Sequence, residues 1–380
     1  MVGNKYSIRI VLKNIWLYFI FIPFLYPRGF SEINEGYKLF FTIWIWIAVL
    51  LILSQFFLRC IKEGCKFNNK KFMISLYFLL AIIITWVKRG TIGSGLQQMI
   101  AAPALCIFFS MNFEEDGIKI INSIVNILFV NFIINLVAFR SIFFAYEHIV
   151  FLGHVQTISQ FGTLALYFGS LQFLLDKNRR IKAVFFIIIS LITMFTGDAD
   201  SARVAAIIMI VVGMMYKFKI YHLLWFKSKW YVFAFWGLSV FIVYTVSGNN
   251  IFVNIIDNST FSGRNFVWKN ALELFCNSPY FGYGIDGALI TTFWSTGMNY
   301  AHNQIVQNLI DGGVVLCISF WIMMIEFSSY IDRIQLKKYK VLANGTLITF
   351  LAIMITDSTT LYCYMFLFLS SLFGLYRLVD

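Results

Sequence analysis

Charge, proline and histidine are scarce in this chain. Only 13% of its 380 residues are Asp, Glu, Lys or Arg, about half the share found in soluble domains, and four are proline. Set beside 60% hydrophobic residues, that scarcity excludes an ordinary soluble domain and a disordered one alike. Six cysteines contain no CxxC pair. Cys60 and Cys65 fall in a loop expected to face the reducing cytoplasm, Cys106, Cys317 and Cys363 lie in apolar runs, and Cys276 stands alone, so neither a disulfide framework nor a cysteine metal site is expected. There is no internal repeat and no low-complexity linker. The first apolar run lacks a small-residue cleavage site and is expected to remain as a signal-anchor helix.

What is present is a succession of apolar runs near the roughly 20 residues that cross a bilayer. They predict an all-α, polytopic membrane bundle of about twelve transmembrane helices, near 14–30, 37–58, 72–87, 92–110, 118–139, 155–175, 182–197, 201–216, 230–247, 303–327, 341–356 and 360–377. Residues 1–380 read as one integral membrane domain. With the N-terminus inside, 22 of the 30 basic residues fall on the cytoplasmic side, as the positive-inside rule requires, and the C-terminus is inside as well. The net charge of +12 is then a topology signal and gives no reason to expect nucleic-acid binding. Short basic inner loops leave one large outer loop, 249–302, as the polar mass of the chain.

Three positions stand out there and beside it, because strongly polar groups within a membrane are costly. Arg203 opens the eighth predicted span after Thr196-Gly197-Asp198-Ala199-Asp200-Ser201-Ala202, where the plainest expectation is an i, i+3 pair with Asp200. Arg264 opens a short amphipathic helix reaching about Asn277, with Val267, Trp268, Ala271, Leu272 and Phe275 on one face. Free N–H groups at a helix start, next to a planar guanidinium, suit a diphosphate; the plainer alternative is an arginine snorkelling to headgroups. His302 begins the tenth span. Behind it Asn303, Gln304, Gln307, Asn308 and Asp311 form a polar stripe, predicting a wet cavity or a buried hydrogen-bond network. A neutral imidazole at that place can accept a proton from a sugar hydroxyl or orient it.

In order and spacing, these motifs resemble the O-antigen polymerase and O-antigen ligase superfamily (Wzy/WaaL-like). The matching residues are Ser201 and Arg203; Ser262, Gly263, Arg264 and Trp268; Pro279, Gly282 and Gly284; and His302, Asn303, Gln307, Gly312 and Gly313. The resemblance implies a glycosyltransferase of GT-C type in the cytoplasmic (inner) membrane of a bacterium, working on the outer face without a metal or other cofactor and with inversion. Its donor is an undecaprenyl-diphosphate-linked oligosaccharide. In the polymerase form, the one expected here, the growing glycan joins the sugar of an incoming lipid-linked repeat unit; in the ligase form it joins another acceptor such as lipid A–core. Carried over, Arg203, Arg264 and His302 are the expected catalytic residues. Both arginines, with Asn303, Gln307, Trp268 and Tyr283, are expected to bind substrate. A chain-length regulator and a flippase are implied partners, beside the bilayer itself.

Two features depart from the pattern. Ala202 separates Ser201 from Arg203, where family members often place serine directly before the arginine. Asp198 and Asp200 have a DxD spacing that holds a divalent cation in other glycosyltransferases, yet two carboxylates are too few for an oxygen shell unless substrate phosphates or water complete it. His148 and His154, with Arg140 and Glu147, can border the same cavity, as can Gln97, Gln98 and Asp357; Tyr280, Phe281, Tyr283 or Trp294 can stack on sugar rings. A flippase for the same lipid-linked glycan is the rival from another class. The absence of two related halves counts against it.

Overall fold

The computed structural model describes residues 2–64, 69–91, 95–142, 148–247, 263–292 and 297–379. The protein is an all-α, polytopic membrane-helix protein. Its twelve helices among the described residues are α1 (Val2–Leu25), α2 (Glu35–Glu63), α3 (Asn69–Arg89), α4 (Gly95–Ile142), α5 (Thr157–Leu175), α6 (Arg180–Thr196), α7 (Asp200–Lys217), α8 (Lys229–Ser247), α9 (Arg264–Asn277), α10 (Gln304–Ile331), α11 (Lys337–Thr356) and α12 (Tyr364–Val379). One small hairpin, β1 (Ile149–Val150) and β2 (Gly153–His154), pairs antiparallel between α4 and α5.

Among the described residues six helices are long and apolar enough to cross a bilayer: α2, most of α3, Met99–Val137 of α4, α5, α10 and α11. Asn14–Leu25, Lys229–Thr245 and α12 are shorter apolar helices. Two further predicted spans fall outside that set for visible reasons. The 17-residue α6 carries Arg180 and Lys182 in its first turn, and α7 carries Asp200, Arg203 and Lys217.

Two predicted spans, 92–110 and 118–139, run together in the 48-residue α4. A straight helix of that length reaches about 70 Å, more than twice the ~30 Å hydrocarbon core. It is not straight. Phe108 packs edge-on against Phe21, while the Asn131 amide donates to the Leu25 carbonyl one turn along α1. A rod would hold residues 108 and 131 about 34 Å apart, so α4 bends between its halves and folds both against α1.

Packing follows side-chain size. On α2 the residues Phe41, Ile45, Ala48, Val49 and Ile52 are buried at helical spacing, while Leu39, Phe40, Ile43, Ile47 and Leu50 are exposed, the pattern of a helix with one protein face and one lipid face. By contrast α5 is buried almost all round. Gly162 and Gly169 let Met194 and Phe186 of α6 approach it closely, as small residues do between membrane helices. Cys60, expected as a free thiol in a reducing loop, is disulfide-bonded.

The decisive irregularity is inside α10. Gly312 (φ −146°, ψ 17°) and Gly313 (φ 63°, ψ −162°) break the helix and free its backbone groups. The turn Pro279–Gly284 docks into the break. Tyr283 and Gly284 N–H donate to the Ile310 and Asp311 carbonyls at 2.9 and 2.8 Å, and Val314 and Val315 N–H donate to the Pro279 and Tyr280 carbonyls at 2.8 and 3.3 Å. Backbone that leaves helical geometry at membrane depth must be satisfied by protein, and here four hydrogen bonds do so. On a second side, Thr85 Oγ1 accepts from Ile285 N–H and Arg89 donates to the Ile285 carbonyl, tying the loop to α3.

Candidate functional site

Two elements of the 249–302 segment carry the candidate side chains. The helix α9 spans Arg264–Asn277, its start fixed by Gly263 at φ 79°, a left-handed position that glycine adopts without strain. Its apolar face buries Val267, Trp268 and Ala271 in a small core shared with Ile290, Ala301, Val306 and Ile310. That burial leaves Arg264, the first helical residue, at the edge of a cavity of about 880 Å³.

His302 faces the same cavity. It stands at φ 52°, where a non-glycine residue is strained and persists only if its surroundings hold it there. Both neighbours are clamped. Ala301 N–H donates to Gln307 Oε1 at 2.8 Å and its carbonyl accepts from Trp268 Nε1 at 3.0 Å. Asn303 caps α10, its Oδ1 accepting from Ile305 and Val306 N–H at 2.9 and 3.1 Å, while its Nδ2 donates to Ser239 and to the Ile355 carbonyl. Asn303, Gln307 and Trp268 are thus spent on holding the backbone on either side of His302, and none of the three lines the cavity. Tyr283 does not line it either: its hydroxyl donates to the Leu274 carbonyl from within the docked turn.

The electrostatics of the cavity are unusual. Burial, the positive charge of Arg264 and then His154 push the His302 imidazole down to about 3, so it is neutral at physiological pH. Its Nδ1 is buried without a hydrogen-bond partner, and Tyr300 meets the ring edge-on at 4.4 Å. Arg264 is half-buried, its Nε lacks a partner, and burial lowers the guanidinium, against which Asp357 and Asp200 act. Asp357, just past the end of α11, also lines the cavity. Burial raises its carboxyl to about 7, opposed by Gln160 at 3.1 Å, by the Ser358 N–H at 3.0 Å and by Arg264.

Arg203 is placed otherwise. Its Nη1 pairs with Asp200 at 2.9 Å and Nη2 donates to the Gly197 carbonyl at 3.2 Å; Asp198 and Asp200 line the cavity but Arg203 does not. The structure therefore brings Arg264 and His302 together and leaves Arg203 at the rim, coupled through Asp200. Among the described residues no three His, Cys, Asp or Glu side chains converge as a metal site.

His148 and His154 do border the cavity, as does Asp357. Glu32, Asp286, Tyr300 and Tyr362 line it too, and no local motif marks them; they are brought in by the α1–α2 connection, the loop between α9 and α10 and the α11–α12 connection. The polar stripe of α10 is a hydrogen-bond network: Gln304 alone binds Asn308, Thr360 and the Thr359 N–H. Ser262, Trp294 and Glu147, and the side chains of Arg140, Gln97 and Gln98, lie outside the described residues.

With that geometry in hand, comparison with known proteins is informative. A model of the Wzy_C family, described as O-antigen ligase, matches residues 184–321, a little over a third of the chain, from α6 through most of α10. None of the curated proteins matches the chain.

Proposed function

We propose that this protein transfers a glycan from a polyprenyl diphosphate carrier to an acceptor hydroxyl, at the outer face of a bacterial cytoplasmic membrane. One observation carries the reading: Arg264, at the start of a helix, and His302 line one cavity large enough for several sugar units, and each keeps a buried side-chain nitrogen, Nε and Nδ1, without a hydrogen-bond partner. Support comes from the match to the O-antigen ligase family across the segment that holds both residues. Its description favours the ligase reading, in which a finished glycan passes to a second acceptor such as lipid A–core, over the repeat-unit polymerase expected from the sequence.

In the reaction the acceptor oxygen attacks the anomeric carbon, the bond from that carbon to the diphosphate breaks, and the lipid diphosphate departs with the electron pair. Arg264 and the first N–H groups of α9 bind the diphosphate and stabilise its growing charge. The acceptor proton passes to His302. An imidazole held near 3 is a weak base, but part of that depression comes from Arg264. A bound diphosphate cancels the Arg264 charge and raises the basicity of His302 when it is needed. Trp268, Asn303 and Gln307 act as positioning residues, and Arg203 acts through Asp200.

Purified protein in vesicles, supplied with a polyprenyl-diphosphate-linked glycan and a candidate acceptor, tests this. A new glycosidic bond to the acceptor is the expected product. Movement of the glycan lipid across the bilayer without that bond would establish the flippase instead.

A further inference from the structure

A third arginine stands behind one wall of the cavity without an obvious purpose. Arg28 follows α1, its backbone N–H donating to the Leu152 carbonyl at 3.1 Å, while the next N–H, of Gly29, donates to the Phe151 carbonyl at 3.0 Å. These bonds pin it to the hairpin whose His148 and His154 line the cavity. Its guanidinium carbon lies 4.5 Å from the ring centre of Tyr362, itself a cavity residue, and 5.2 Å from that of Tyr26. Nε is buried without a hydrogen-bond partner, although the residue as a whole keeps partial exposure. Among the described residues no carboxylate lies within ion-pair distance of it. Glu32 and Asp357 line the neighbouring wall, but neither forms a salt bridge with it.

Arginine cannot escape such a place by losing its proton, and a partly buried cation without a counter-charge is costly. Two tyrosine faces return only part of that cost. Arg28 does not itself line the cavity but packs on Tyr362, which does; a guanidinium without a counter-charge is suited to an anion, and its fork fits the paired oxygens of a phosphate or a carboxylate. His148 and His154, with ring centres 6.1 Å apart, add N–H donors on the same wall.

We propose that Arg28 forms the core of a second anion subsite, on the hairpin side of the cavity, for a phosphate or carboxylate carried by the acceptor glycan. Only the assignment of that anion to the acceptor rests on the transfer reading. Arg264 serves the donor diphosphate; Arg28 fixes the acceptor by its own charge, so that an acceptor lacking an anion is held less firmly.

The test is anion binding to the full-length protein in nanodiscs of uncharged lipid, with inorganic pyrophosphate as the labelled probe. Two sites are expected in the wild type, one after Arg28→Gln, the other one after Arg264→Gln, and none in the double variant. Arg28→Lys keeps the charge but loses the fork, and should weaken its site about tenfold. Galacturonate displacing only the Arg28-dependent probe marks a carboxylate subsite; displacement by inorganic phosphate alone marks a phosphate subsite. Unchanged stoichiometry in Arg28→Gln overturns the proposal. Should that variant fail to fold, modification of wild-type Arg28 by phenylglyoxal must be slowed by the displacing anion, and equal rates with and without it also overturn the proposal. A single wild-type site lost in Arg264→Gln removes this subsite and leaves the transfer reading standing; a single site lost only in Arg28→Gln does the reverse.

Discussion

On the proposed reading, His302 concentrates the chemistry in one strained residue. Its left-handed backbone and its depressed imidazole have the same origin, a loop held so tightly that the half-buried ring is presented to the cavity beside a cation. Replacing it by alanine should lower transfer by about 10²–10⁴-fold, the usual range for a lost general base, while leaving membrane insertion intact; this is read from product formed per mole of folded protein. Near-normal turnover would remove His302 from the reaction. For Arg264→Lys the expected result is a large loss of turnover with the charge kept, since lysine lacks the planar fork; full activity would argue against a diphosphate clamp. Asp357 supplies a pH signature. Its folded value of about 7 lies above the unfolded 3.8, so the stability it contributes is complete below about 3.8 and is lost as pH rises through 7. Melting temperature should therefore decline over that window in the wild type and decline less in Asp357→Asn. An identical slope in the two proteins would mean that Asp357 does not titrate there. The opposite sign holds for His302, whose folded value of about 3 lies below the unfolded 6.5: its contribution is present above 6.5 and is lost as pH falls toward 3.

At the scale of elements, the docked turn and the broken helix form one unit. A Cβ at Gly313 would sit 2.3 Å from Tyr280 backbone, and one at Gly282 2.5 Å from the Ile310 carbonyl oxygen. Either glycine to alanine should destabilise by more than the roughly 1–2 kcal/mol that a left-handed alanine costs alone, because the turn must lift out of the break. Thermal unfolding in detergent measures it, and a shift no larger than that of Gly213→Ala, which meets nothing, would contradict the docking. Gln307→Leu, which leaves the Ala301 N–H unpaired, should lower kcat more than it raises KM. The same elements show what is legible in the sequence. The span of α9, Arg264–Asn277, follows from the 3.6-residue spacing of its apolar face, and the Arg203–Asp200 pair is a local i, i+3 contact. Asn303 and Gln307 are conspicuous as polar residues, yet their partners Ser239, Ile355, Ala301 and Asn299 are set by the fold, so a substrate contact and a backbone clamp look alike in one dimension. The bend of α4 is hidden for a related reason. Glu114, Glu115 and Asp116 read as a loop between spans, although the chain stays helical through them.

For the whole molecule, the membrane class and the polar convergence near 249–302 are written in composition and spacing, whereas the assembly of the cavity is not. Its walls come from the α1–α2 connection, the hairpin, the start of α7, the start of α9, the loop leading into α10 and the end of α11 with the connection after it, which lie up to hundreds of residues apart. Packing of the helices, with the almost fully buried α5 among them, brings them together. The central claim is that Arg264 and His302 move a glycan from its lipid diphosphate to an acceptor. Its most direct test is to extract lipid-linked glycans from cells lacking the protein and from cells carrying His302→Ala, and to resolve them by size. Long glycan retained on the carrier in both is the predicted result; single repeat units accumulating in both would keep the site and make the protein a polymerase. A profile matching the wild type in both strains would contradict the claim.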